Sequence, residues 1–196
     1  MTKLISITAL AVLLFSQTTC AQSPTNRRTS AASNPSASPS STPQSNYPNL
    51  KIQAEETANA FVHKDFKTIV DLTYPRVVEF MGGREKMVSA IEQGVKQAEG
   101  EGITFVSVDV GEPEKVISVG RQLFSIVPTT LKMKVPGGTL IGESFMIGVS
   151  ENGGSKWTFV DGAGGIDKGK LRTLFPSAAD KLQLPERKQP VFHPDK

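Results

Sequence analysis

The 196-residue chain is 38% hydrophobic and 21% charged, with 17 glycines and 13 prolines, which excludes a fibre, a coiled coil and a multi-span membrane protein. Lys3, Arg27 and Arg28 account for the whole formal charge of +3: removing them from the 22 basic residues leaves 19 against 19 acidic ones from Asn49 onward. A balanced domain lacks the concentrated positive field that displaces counterions from phosphate, so no nucleic-acid partner is expected.

Residues 1–21 have the layout of an export signal. Lys3 supplies the positive start, residues 4–15 are apolar apart from Ser6 and Thr8, and Thr18, Thr19 and Ala21 are small. The apolar run falls well short of the roughly 20 residues of a spanning helix. Its side chains would point all round a helix, unlike those of an amphipathic segment. Cleavage after Ala21 discards Cys20, the single cysteine, and gives a periplasmic or secreted chain. The alternative is lipidation at Cys20, which would be the only link to a membrane; Gln17 stands where that pattern has a Leu-like side chain, which favours simple secretion. One cysteine permits neither an internal disulfide nor a cysteine-based zinc site, and no cofactor or metal is expected.

Residues 22–48 are dominated by Ser, Thr and Pro and cannot bury enough apolar surface to offset the entropy of ordering them, so a disordered, extended tether is expected there. The folded domain is expected over residues 49–185, with a flexible tail over 186–196.

Within the domain, Leu50, Ala54, Ala58, Phe61 and Val62 share a helical stripe that ends near His63 and Lys64. Asp65 can cap a second helix carrying Phe66, Ile69 and Val70. Pro75 pushes Tyr74 toward extended geometry, and residues 75–81 suit either a helical turn or a short strand. The spacing of Met87, Val88, Ile91, Val95 and Ala98 predicts a third helix from Arg84, stopped by Gly100 and Gly102. The period then becomes two. Thr104, Val106, Val108 and Val110 are placed on one strand face; residues 116–127 form a strand ending before Pro128; Leu131, Met133 and Val135 alternate with Lys132 and Lys134. Strands over 139–149 and 156–160 follow, the latter with Trp157 and Phe159 on one side. The expected class is α+β, with three N-terminal helices on one face of a curved, mostly antiparallel sheet.

This order resembles the nuclear transport factor 2-like superfamily of cone-shaped α+β folds, which includes SnoaL-like and ketosteroid-isomerase-like proteins. The stretch HKDF (residues 63–66) looks like that family's turn between two opening helices, PRVVEFMGGREKMVSAI (75–91) like its short edge strand, glycine and next helix, and WTFVD (157–161) like its closing strand. The resemblance covers about residues 50–161 and implies a sheet wrapped round a cavity, with no particular activity, since the superfamily holds isomerases, dehydratases, cyclases and non-catalytic modules.

Inward-facing polar groups would set the chemistry of such a cavity. Glu143 falls in phase with Ile141, Phe145, Ile147 and Val149, where desolvation would make it a general acid or base; a bulge at Gly142 would instead turn it to solvent. Tyr74 and Trp157 are candidates for stacking on or hydrogen-bonding to a ligand, or for filling the core. Glu79 approaches the cavity only if residues 75–81 are a strand, and Asp161 is either a ligand contact or a turn former before Gly162. His63 and His193 sit at a helix end and in the tail, so neither suits a triad, a zinc site or a His–Asp pair. Lys168, Lys170 and Arg172 read as a solvated loop, and the GAGG run over 162–165 lacks the Lys-Ser/Thr of a phosphate loop. The sequence favours an exported, non-catalytic module binding a small apolar ligand or an envelope protein. A small lyase or isomerase with Glu143 as base and Tyr74 as donor is the alternative, and a homodimer through the face carrying Lys132 and Lys134 is left open.

Overall fold

Proline starts the first helix, fixing φ near the helical value where its missing N–H costs nothing, and α1 runs Pro48–Val62 in the computed structural model, which describes residues 47–196. The export segment, Cys20 and nearly all of the tether lie outside the described residues. Leu50, Ala54 and Ala58 are buried at the expected helical spacing. The helix closes at His63, whose Nδ1 lies 2.8 Å from the Asn59 carbonyl, and Lys64 turns the chain with φ 59°. Asp65 then caps α2 (Phe66–Asp71), accepting from the Thr68 hydroxyl at 2.7 Å and the Thr68 N–H at 3.2 Å. These bonds, the hydroxyl first, hold its carboxyl below the usual carboxylate range.

Residues 75–81 settle as a helix. Pro75 occupies the first turn of α3 (Pro75–Phe80), and the Val77 N–H donates to the Tyr74 carbonyl, 2.9 Å away. Among the described residues four helices therefore precede the sheet, where three were expected, and residues 75–81 do not form the short edge strand implied by the resemblance. The extended segment before α3 does touch the sheet: Phe159 N–H donates to Leu72 O at 2.7 Å and Tyr74 N–H to Phe159 O at 2.9 Å. The long helix α4 (Arg84–Gly100) has the expected bounds.

Six strands follow: β1 (Thr104–Val110), β2 (Ile117–Val119), β3 (Gln122–Val135), β4 (Gly138–Ser150), β5 (Thr158–Asp161) and β6 (Val191–Pro194), with α5 (Lys168–Leu174) between the last two. Their order is β1-β3-β4-β5, with β2 on β3 and β6 on β4, all antiparallel. Helices α1–α4 pack on this strongly curled half-barrel, an α+β architecture consistent with the cone shape.

Two strand expectations are corrected by backbone detail. Val106 is an extra residue, because Phe105 pairs with Met133 and Ser107 with Lys132. That bulge inverts the phase, so Phe105, Val108 and Val110 share a face while Val106 is left 45% exposed. Pro128 does not end a strand either. Its carbonyl accepts from Gly111 N–H at 2.8 Å, which places its missing N–H on the β1 side, just where β1 stops and needs no donor.

Both faces of the sheet's upper half, comprising β5 with residues 123–127 and 145–150, are covered. On one side α1 sets Leu50 and Ala54 against Leu123, Val127, Met146, Trp157 and Phe159. Gly148 permits this approach, since a Cβ there would lie 2.8 Å from the Leu50 Cδ1. On the other, Leu171, Phe175, Ala178, Ala179 and Leu182 from α5 and the turns beyond it pack on Phe124, Ile126, Phe145, Ile147 and Val149. The interior is solid here, where the resemblance implied a hollow. The tail is corrected as well: Val191–Pro194 is a strand, so His193 belongs to the sheet.

Candidate functional site

Glu143 keeps the predicted phase but not the predicted surroundings. No bulge interrupts β4, which pairs with β3 without a register shift from Gly138 to Ser150, and Glu143 shares its face with Phe145 and Ile147. The C-terminal cover reaches Phe145 and stops, so the Glu143 side chain is 58% exposed and pairs with Lys188 at 2.5 Å. An exposed, ion-paired carboxylate lacks the desolvation that would have made it a general base.

Tyr74 and Trp157 belong to the two cores. The Tyr74 ring lies 4.9 Å from Phe175 and its hydroxyl accepts from Gln122 Nε2 at 3.4 Å. Trp157 is fully buried, donates its indole N–H to Gly154 O at 3.0 Å and meets Tyr47 edge-on at 5.9 Å. Glu79 is exposed on the outside of α3, as the helical form of that segment requires.

Asp161 differs from these. It closes β5 opposite Met146, hence on the α1 side of the sheet, and its Oδ1 accepts from Ala163 N–H at 3.0 Å in the turn expected of it. Burial pushes its carboxyl above the usual range, outweighing that hydrogen bond, while the residue as a whole is open to solvent. The protein around the carboxyl disfavours its charged form. The structure brings neither Tyr74 nor Glu143 to it: both belong to the opposite face of the sheet.

Two surface depressions lie on the helices, one of about 370 Å³ lined by Lys67, Arg84, Glu85, Val88, Ser89 and Glu92, the other of about 590 Å³ beside Glu55, Asn59 and His63. Neither includes a residue singled out for ligand binding. Among the described residues no group of three or more His, Cys, Asp or Glu is placed to hold a metal ion, and no helix is long and apolar enough to cross a membrane. Lys168, Lys170 and Arg172 fall on α5, not on a loop: Lys170 Nζ donates to Gly165 O at 2.9 Å and Arg172 pairs with Asp180 at 3.1 Å.

The sequence reading passed over the second cover of the sheet. Its signal was present in Leu171, Phe175, Ala178, Ala179 and Leu182, whose spacings of three and four suit a helical path over an apolar surface. No known family model matches the chain, and no curated protein matches its sequence.

Proposed function

We propose that the chain is an exported, tethered, non-catalytic binding module of the nuclear transport factor 2-like kind, whose partner is another protein of the cell envelope or a small apolar ligand. The observation that carries this reading is the dispersal of the groups that a carboxylate–tyrosine catalyst would need. Glu143 faces solvent opposite Lys188, while Tyr74 is 4% exposed with its hydroxyl engaged by Gln122. The surface offers apolar contact area instead: Phe80 is 57% exposed beside the half-buried Val77, Val78 and Met81 of the same turns.

A second reading, a small lyase or isomerase acting through a carboxylate, draws on Asp161, whose carboxyl burial raises in the direction an acid catalyst uses. One experiment separates the two. The protein is purified natively from the envelope, and its co-purifying species are identified by mass spectrometry for wild type, Phe80→Asp and Asp161→Asn. The binding reading expects a stoichiometric companion that Phe80→Asp loses and Asp161→Asn keeps. Product formation from a co-purified small molecule, abolished by Asp161→Asn alone, would overturn it.

A further inference from the structure

Gly138 needs to be glycine for an unusual reason. Its φ lies outside the left-handed region, unlike that of its neighbour Gly137 at 83°, so turn geometry does not demand it. A Cβ at Gly138 would lie 2.3 Å from the His193 carbonyl oxygen and 2.6 Å from the Phe192 ring. The missing side chain is a seat for the C-terminal strand. Four residues along β4, Pro190 sits 3.7 Å from the corresponding point on Gly142.

The outer edge of β4 is divided between two strands. β5 takes Met146 to Val149, and β6 takes Gly138 to Ile141 through pairs running from Pro194 to Val191. Asp195 N–H donates to Gly137 O at 2.9 Å, so alternation turns the main-chain groups of Val191 and His193 toward β4 and those of Pro190, Phe192 and Pro194 outward. Two of those three outward residues have no N–H, leaving Phe192 as the single outward donor. The sheet is therefore terminated at β6, and a further strand cannot readily add there.

The segment is held lightly. All of β6 is exposed, and the ion pairs on either side of it, Lys188–Glu143 and Lys134–Asp195, are both at the surface. Its connection to the last buried anchor, Leu182, is residues 183–190, of which only Leu184 packs on the core.

We propose that the edge of β4 from Gly138 to Gly142 is a strand-binding groove, that the chain's own C-terminal segment is its resident ligand, and that the same groove accepts the C-terminal segment of a second copy by strand exchange. Every copy carries both the groove and the matching strand, while the proline-blunted outer edge of β6 disfavours simple addition, so exchange is the open route to pairing between copies. The resident strand competes at the high effective concentration of a short connection, so exchange grows with protein concentration. The proposal goes beyond the binding reading above and does not depend on it.

Two full-length variants test it by complementation. Gly138→Val blocks the groove but leaves the strand intact; Phe192→Asp spoils the strand but leaves the groove open. Sedimentation velocity and native mass spectrometry should find each variant monomeric alone and a heterodimer in the mixture, formed from the Gly138→Val strand in the Phe192→Asp groove. If Gly138→Val does not fold, a synthetic peptide of residues 188–196 replaces it as donor, and Phe192→Asp should bind it at least tenfold more tightly than wild type does. No heterodimer at submillimolar concentrations, equal dimerisation of each variant alone, or, in the peptide form, equal or absent peptide binding would overturn the proposal.

Discussion

The upper and lower halves of the one sheet are built from the same two long strands but live in different environments. Around Phe124 and Ile147 both faces are covered, by α1 on one side and by the α5 segment on the other. Farther along, from Thr130 to Lys134 and back through Glu143, the α1 side carries Leu131, Met133 and Leu140, and the opposite face shows Lys132, Lys134 and Glu143 to water beside the half-buried Ile141. Strand phase is the same throughout, so the difference lies entirely in what the rest of the chain lays over each half. Phase determines which way a side chain points; burial needs a cover, and covers are made by residues distant in sequence.

The contrast can be broken most severely from the upper half. Phe175→Ala removes a ring packed on both Tyr74 and Phe124 and should destabilise the domain by about 3–5 kcal/mol in urea unfolding. A loss below about 1 kcal/mol would mean that the second cover contributes little.

Asp161 sharpens the contrast by pH. Its folded-state pKa is raised by burial, so the folded protein holds the proton more tightly than the unfolded chain does. Its stabilising contribution is therefore complete below the ordinary carboxylate pKa, near 3.9, and lost as pH rises through the folded value. Asp161→Asn keeps the acceptor for Ala163 and removes the ionisation, so its stability relative to wild type should rise with pH across that window and then level off. Parallel stability curves for the two proteins would contradict the assignment.

Glu143→Gln should have the smallest effect, within about 0.5 kcal/mol, because its ion pair with Lys188 is exposed on both sides. A larger loss in thermal unfolding would show that the lower face is more closed than its open carboxylate suggests.

Much of the fold was legible in the sequence. Local signals sufficed for α1, the Asp65 cap and α4, because each rests on helical spacing, a capping oxygen or a stopping glycine within a few residues. They did not suffice for residues 75–81, where a four-residue apolar cluster is too short to show a period, or for β1, where one unpaired residue inverted the alternation. The candidate site was less legible. Glu143 was placed on the correct face, but its exposure depends on where a segment thirty residues downstream stops covering the sheet. Asp161 was left between ligand contact and turn former; its Oδ1 does accept from Ala163 in the turn, while the burial that raises its carboxyl has no local sequence signal.

The central claim is that the chain after β5 forms the second cover of the sheet, with only its last strand lightly attached. Residue-resolved hydrogen exchange tests this directly. Among amides hydrogen-bonded in the structure, those of Leu171, Phe175 and Leu182 should exchange in the same slow class as Val127 and Ile147, with Val191 and His193 distinctly faster. Exchange of residues 171–182 at the rate of free chain, while β3 and β4 stay protected, would contradict the account.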